Sequence, residues 1–144
     1  MKNNIFWFRR DLRLDDNTAL ANALLSKNPI IPIFIFDSNI IGSLPEDDAR
    51  ISFIYSQLEK INNVLKFHKS SLLIKIGDPK SVFKSLINEF DIEEVYSNFD
   101  YEPYAVKRDA EITDLLNQNK IKHLQHKDQV IFEPHEILKD NSDP

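Results

Sequence analysis

Two short segments carry charged side chains whose types and spacing suit the binding of a polar ligand. The first is RRDLR, residues 9–13, in which three arginines surround one aspartate. Guanidinium groups donate paired hydrogen bonds to planar or anionic groups, so this segment indicates a ligand site. Internal pairing is the alternative and is slightly favoured by the chemistry alone: Asp11 would neutralise Arg10 or Arg13 and fix the loop.

The second segment is NFDYEPY, residues 98–104, where two carboxylates alternate. Pro103 disfavours helical geometry in the residue before it, so the stretch is extended and Asp100 and Glu102 are expected to point the same way. Both are able to accept hydrogen bonds from N–H or O–H groups of a ligand. They are equally suited to capping a helix that begins at Pro103. Paired carboxylates also serve glycoside hydrolysis, but no neighbouring residue indicates a sugar site.

Other chemistries find little support in the sequence. The chain has no cysteine, which excludes disulfides and thiolate metal sites, and only two glycines, Gly42 and Gly77, too few for a glycine-rich phosphate loop. Its four histidines lack metal-ligand spacing. His123 and His126, on one predicted strand, are expected to face opposite sides of the sheet. A net charge of −5 makes the chain by itself a poor DNA-binding protein.

Apolar runs that alternate with helical patterns predict the elements that position the charged segments. Strands are predicted at residues 4–8, 29–37, 71–77, 93–98 and 121–126. Helices are predicted at residues 17–27, 46–69, 78–90 and 103–119, with a short turn of helix in 130–144. Asp16 or Asn17 is placed to cap the first helix, and Asp78 precedes a proline at the start of the third.

This alternation predicts an α/β fold: a doubly wound, Rossmann-like parallel sheet of five strands in the order 3-2-1-4-5, covered by helices on both faces. In such sheets a ligand binds at the carboxyl ends of the strands, where the strand order reverses. Both charged segments follow strands that end there, and the loop beginning at Asp37 lies next to them. The buried run that precedes Arg9, which includes Trp7, is expected to be core.

Length and hydrophobicity predict the general class of the chain. Its 144 residues, 42% of them hydrophobic, suit one packed domain. No apolar run approaches the roughly 18 residues that cross a bilayer, and the beginning of the chain does not have the form of a secretory signal. We therefore expect a soluble, cytoplasmic protein without membrane contact. A monomer is expected as well.

Four segments, in order along the chain, resemble the amino-terminal α/β domain of the photolyase/cryptochrome family. They are WFRRDLRLDDNTAL, PIFIFD, GDP and NFDYEPYAVKRD, of which the first and last are long and specific. The resemblance runs from residue 4 to about residue 139 and implies that residues 1–139 form an antenna domain. Residues 140–144 would begin the linker to an FAD-binding helical domain that follows in the family and is absent from this chain.

The resemblance implies a light-harvesting domain of a DNA photolyase, an enzyme that repairs UV-induced pyrimidine dimers in light. Such a domain binds a second chromophore and passes excitation energy to FAD in the helical domain, which also contacts the DNA. By this likeness the chain alone would be inactive. A cryptochrome-type blue-light photoreceptor is one alternative. A nucleotide-binding protein of the universal-stress type is another, but it would have a glycine-rich phosphate loop in place of NFDYEP.

The family's deazaflavin-binding pattern implies a set of cofactor-binding positions on the strand ends and the following loops. These are Arg10, Ile35, Asp37, Asp100, Glu102 and Arg108. The implied chromophore is 8-hydroxy-5-deazaflavin or FMN. Methenyltetrahydrofolate is less favoured, because a folate-binding subgroup has Asn-Glu where this chain has Tyr104 and Ala105. Asp11 and Arg13 are outside this pattern and are expected to form a structural pair.

Overall fold

Five parallel strands form one sheet in the computed structural model, which describes residues 1–127. The strands are β1 (Asn3–Phe8), β2 (Ile30–Asp37), β3 (Leu73–Gly77), β4 (Ile92–Asn98) and β5 (Lys122–His126). Their order is β3-β2-β1-β4-β5, and every pairing between neighbours is parallel. The predicted fold class and strand order are confirmed. The helical turn predicted in 130–144 and the linker predicted at 140–144 lie outside the described residues.

Helices connect the strands and cover both faces of the sheet. They are α1 (Thr18–Leu24), α2 (Ser38–Ile41), α3 (Ala49–Phe67), α4 (Pro79–Glu89) and α5 (Pro103–Gln118). The sequence analysis missed α2, because a single turn is too short to show helical periodicity. Within the described residues, no helix has the length and hydrophobicity needed to cross a membrane.

Side-chain caps decide where α1, α3 and α4 begin. Asn17, rather than Asp16, accepts a hydrogen bond from the Leu20 N–H and caps α1. Asp78 caps α4 as predicted, with a proline in the first turn. α3 begins three residues later than predicted, because the carboxylate of Asp48 accepts from the Arg50 N–H and so caps the first turn there.

The core has two layers because β1 and β2 are buried on both faces. On one face Trp7 and Ile33 pack in a cluster with α4 and α5. On the other face Phe6 and Phe34 pack in a cluster with α1 and α3. Strands covered on both sides need no polar alternation, which explains why β1 and β2 are almost continuous apolar runs. Trp7 is only 1% exposed, so its predicted place in the core is confirmed.

The two histidines of β5 lie on opposite faces of the sheet, as predicted. The ring of His126 stacks on Tyr96, with 6.2 Å between the ring centroids. His123 lies on the Trp7 side, with Nε2 2.8 Å from Ser97 Oγ and Nδ1 2.8 Å from Thr113 Oγ1. Burial is the main cause that lowers the pKa of His123 from 6.5 to about 4, and the positive charge of Arg9 adds to it.

We expect His123 to make the fold sensitive to mild acid. Native His123 stays neutral until the pH falls to about 4, whereas in the unfolded chain it takes up a proton near 6.5. The contribution of neutral His123 to the free energy of unfolding is therefore fully present above pH 6.5 and is lost as the pH falls from 6.5 towards 4. The loss is about 1.4 kcal/mol per pH unit at most. Urea unfolding of the parent chain and of His123→Gln at several pH values measures it.

The His123→Gln variant should lose less stability than the parent between about pH 7 and pH 5, because glutamine does not titrate. His68→Gln is the matched control, since it makes the same substitution at an exposed position at the end of α3 and keeps the buried His123. If the free energy of unfolding changed equally with pH in the parent and in His123→Gln, His123 would not be the source of the acid sensitivity.

Candidate functional site

A cavity of about 520 Å³ lies at the carboxyl ends of β1 and β2, beside the beginning of α5. The sheet order reverses between β1 and β4, so their loops leave a crevice at this edge. All of the positions implied by the family pattern line the cavity: Arg10, Ile35, Asp37, Asp100, Glu102 and Arg108. The structure thus brings together residues that are nearly 100 positions apart. Their role in binding stays a prediction.

One wall of the cavity is apolar. Phe34, Ile35 and Phe36 come from the end of β2, Ile40 from α2 and Ile54 from α3. An apolar wall with a few charged groups at its edge is the usual composition of a site for a flat organic ligand. The cavity volume is within the range of such sites, roughly 300 to 1,000 Å³.

Arg10 joins the two carboxylates of the second charged segment. Its Nη1 lies 3.2 Å from Glu102 Oε1 and 3.5 Å from Asp100 Oδ1, so both carboxylates lie on the same side of the loop, as predicted. Asp100 is buried, and its Oδ1 also accepts from the Glu102 N–H at 3.2 Å. Glu102 occupies the N-cap position of α5, but its side chain makes no capping hydrogen bond. The carboxylate of Glu102 therefore remains at the cavity edge, next to Arg10.

Asp37 has a structural role that the sequence analysis did not assign. Its Oδ1 accepts from the Asn39 N–H at 2.9 Å and caps α2, and its Oδ2 accepts from the Tyr104 hydroxyl at 2.6 Å. Burial and the hydrogen bond to Asp37 raise the pKa of Tyr104 to about 12, so the phenol keeps its proton. Tyr104 was missed as a lining residue. The available signal was its spacing of four residues from Arg108, which places both on one face of α5.

Arg108 presents the cavity with a buried donor. Its side chain is 9% exposed, and its Nε donates to Asp109 Oδ1 at 3.1 Å. Its Nη2 lies 3.9 Å from Asp100 Oδ2, too far for a hydrogen bond, and no other acceptor reaches it among the described residues. A buried donor without an acceptor is costly, so this atom suits a ligand oxygen.

The first charged segment divides between the core and the cavity edge. Arg9 was missed as a structural residue: its Nη1 lies 2.7 Å from Asp109 Oδ1, its Nη2 donates to the Asn98 carbonyl, and its guanidinium lies over Trp7. Both members of the Arg9–Asp109 pair are buried. This pair therefore belongs to the interior and leaves the neighbouring Arg10 at the cavity edge.

Asp11 fixes the loop, as expected, but the expected partners are corrected. Its Oδ1 accepts from the Arg9 N–H at 2.9 Å and its Oδ2 accepts from the Asn98 side-chain amide. Arg10 contacts the carboxylates of the second segment instead, and Arg13 Nε donates to the Asp16 carbonyl at 3.2 Å. The reason is that β4 lies directly beside β1, so its last residue reaches this loop. Over residues 1–127, no group of three or more potential metal ligands is present.

A family model and individual known sequences identify the same protein family. The sequence model of the DNA photolyase family matches residues 4–144. A deoxyribodipyrimidine photo-lyase of Synechococcus sp. is 34% identical over 140 residues, which cover 97% of this chain and 29% of that protein. Cryptochrome-1 of Drosophila melanogaster is 29% identical over 144 residues, which cover 96% and 27%. The chain thus spans less than a third of the length of these curated relatives.

Solved structures of photolyases have the same fold. An archaeal photolyase from Sulfolobus tokodaii, described with two FAD molecules that imply a novel light-harvesting cofactor, is 30% identical with a TM-score of 0.84. The match covers 92% of this chain and 31% of that one. A class III photolyase from Agrobacterium tumefaciens is 26% identical with a TM-score of 0.87, covering 99% and 29%.

Removing Arg9 should destabilise the domain strongly. Arg9→Met leaves the buried Asp109 carboxylate without its closest cation, and such a loss costs about 3 to 5 kcal/mol. Urea unfolding at neutral pH measures the free energy of unfolding. Arg50→Met is the control, because the Arg50–Asp48 pair is at the surface, where ion pairs contribute little. Similar losses in the two variants would show that the buried pair has no special importance.

Proposed function

Because this chain belongs to the DNA photolyase family, as its sequence resemblance predicts, we propose that it is a light-harvesting domain. It binds a planar antenna chromophore in the cavity of about 520 Å³ and passes excitation energy to FAD in the remainder of a longer protein. The whole protein is then a cytoplasmic deoxyribodipyrimidine photolyase, which repairs UV-induced pyrimidine dimers in DNA. The convergence of all six family-pattern positions on this cavity is the observation that carries the proposal.

The lining residues fit a flat ring with polar edges. The apolar wall of Phe34 and Ile54 would contact the ring face and exclude water. Arg10 and the unsatisfied Nη2 of Arg108 would donate to ring carbonyl oxygens. Asp100 and Glu102 would accept from N–H and hydroxyl groups. The chromophore supplies light absorption, and the protein needs only to hold its orientation.

The proposed chromophore is 8-hydroxy-5-deazaflavin or FMN before methenyltetrahydrofolate. The deazaflavin and FMN are both tricyclic and have the carbonyl and hydroxyl groups that these charged residues are able to bind. Tyr104 and Ala105 replace the Asn-Glu of a folate-binding subgroup, and the Tyr104 hydroxyl is already bonded to Asp37. The Sulfolobus photolyase, described with two FAD molecules and an implied light-harvesting cofactor, supports a flavin as the chromophore.

Residues 1–139 are proposed as the antenna domain, and residues 140–144 as the start of the linker to the FAD-binding helical domain. Exposed apolar side chains at the cavity, Ile40 at 43% and Tyr104 at 41%, support a covering by that domain. Membership of the family decides against the universal-stress alternative.

A cryptochrome-type photoreceptor is the second candidate, because cryptochromes match the chain nearly as well as photolyases do. The Drosophila protein is 29% identical, against 34% for the Synechococcus photolyase. Sequence outside this domain would separate the two functions. Light-dependent repair of pyrimidine dimers by the full-length protein is the assay that distinguishes them.

Removal of the two carboxylates at the cavity edge should weaken chromophore binding. We expect Asp100→Asn with Glu102→Gln to lower the affinity for 8-hydroxy-5-deazaflavin or FMN about tenfold or more, because charged acceptors bind donors more strongly than amides do. Trp7 is the only tryptophan and lies beneath Arg9 and Arg108, so quenching of its fluorescence measures binding. Methenyltetrahydrofolate is titrated in parallel.

Glu46→Gln with Asp47→Asn is the matched control, since this exposed pair removes the same two charges away from the cavity. It should bind as the parent does. Equal affinity of the parent and the Asp100/Glu102 variant would refute the site, and preferential binding of the folate would refute the chromophore class.

A further inference from the structure

Tyr104 is a polar residue of the cavity that lies outside the six family-pattern positions. It belongs to the first turn of α5, lines the cavity of about 520 Å³ and is 41% exposed. A ligand in the cavity is therefore able to reach this side chain. The hydrogen bonds that its hydroxyl already makes decide which group of a ligand it is able to recognise.

Asp37 determines which way the phenol proton of Tyr104 points. The distance from Tyr104 Oη to Asp37 Oδ2 is 2.6 Å, which is typical of a hydroxyl that donates to a carboxylate. A carboxylate accepts and does not donate, so Tyr104 is the donor of this bond. The other oxygen of Asp37 accepts from the Asn39 N–H at 2.9 Å, which keeps the carboxylate in place.

The Tyr104 hydroxyl therefore offers a ligand an acceptor and not a donor. Burial and the bond to Asp37 raise the pKa of Tyr104 to about 12, so the proton stays on the phenol at neutral pH. A hydrogen bond from the Asn39 side chain acts to lower this pKa and uses one lone pair of the phenol oxygen. Because a hydroxyl oxygen has two lone pairs, one remains for an N–H or O–H group of a ligand.

Arg108, one turn further along α5, offers the complementary donor. Its guanidinium lies over the Tyr104 ring, with 5.9 Å from Cζ to the ring centroid, and both side chains line the cavity. Its buried Nη2 has no hydrogen-bond acceptor among the described residues. A donor and an acceptor on neighbouring side chains match a ligand edge in which a carbonyl lies next to an N–H. The rings of FMN and of 8-hydroxy-5-deazaflavin both have such an imide edge.

We propose that Tyr104 is a specificity-determining residue that accepts a hydrogen bond from the imide N–H of the chromophore ring, while Arg108 donates to the adjacent carbonyl. This inference rests on the proposed function. Asp100 and Glu102 are then left for the hydroxyl groups of the chromophore. A site built to pair with an N–H rejects an analogue that lacks it, because the polar groups of the site are left unpaired.

Comparison of riboflavin with 3-methylriboflavin isolates the imide N–H, because the two differ only in the methyl group that replaces this proton. We expect the parent chain to bind riboflavin about tenfold more tightly, with Trp7 fluorescence as the readout. In Tyr104→Phe the preference should fall to about twofold or less, mainly through weaker riboflavin binding. Asp37→Asn should also reduce it, because a neutral amide no longer fixes the direction of the phenol proton.

Lumiflavin, which keeps the imide and lacks the hydroxyl chain, tests which donor Tyr104 meets. Tyr104→Phe should weaken the binding of lumiflavin and of riboflavin by the same factor. Weakening of riboflavin alone would show that Tyr104 accepts from a chain hydroxyl, which would overturn the imide assignment.

Tyr96→Phe is the matched control, because it removes a phenol hydroxyl that also donates to a carboxylate, Glu94 Oε2 at 2.5 Å, but does not line the cavity. It should keep the preference of the parent for riboflavin. A preference that survives in Tyr104→Phe, or equal binding of the two flavins by the parent, would overturn the role of Tyr104 and leave the antenna function standing. Binding of neither riboflavin, FMN nor 8-hydroxy-5-deazaflavin would refute both.

Discussion

The buried ion pair between Arg9 and Asp109 aligns the two segments that face the cavity. A buried pair is tolerated only when its remaining donors are satisfied, and here Arg9 also donates to the Asn98 carbonyl. Arg10 follows Arg9 directly, and Arg108 precedes Asp109. Because Arg9 and Asp109 are joined, the residues next to them in the sequence are placed around the same crevice. Arg10 lies at its edge and Arg108 in its wall.

Asn98 extends this constraint to α1. Its Oδ1 accepts from the Ala19 N–H at 3.0 Å, and its Nδ2 donates to Asn17 and Asp11. One buried amide thus connects the end of β4, the loop after β1 and the cap of α1. Such a connected polar network is rigid when its members are satisfied, which suits the fixed ring orientation that the proposed function requires.

Several of the residues proposed to bind the chromophore also make structural contacts within the protein. Asp37 caps α2 and accepts from Tyr104, and Asp100 contacts Arg10. These contacts fix the side chains before a ligand arrives, which lowers the entropic cost of binding. Arg108 differs, because its Nη2 lacks an acceptor. A ligand oxygen near Arg108 would complete the network rather than compete with it.

The sequence by itself determined the five strands, the four longer helices, their order and the edge at which the charged segments meet. Apolar runs, the caps at Asn17 and Asp78 and the rules for parallel sheets are local or topological signals, and they predicted every strand to within about two residues. Tertiary structure alone decided which charges pair. Arg9 with Asp109 and Asp11 with Asn98 depend on strand register and helix rotation. Hydrophobic periodicity does not encode these, because it records which face of an element is buried and not which distant side chain that face meets.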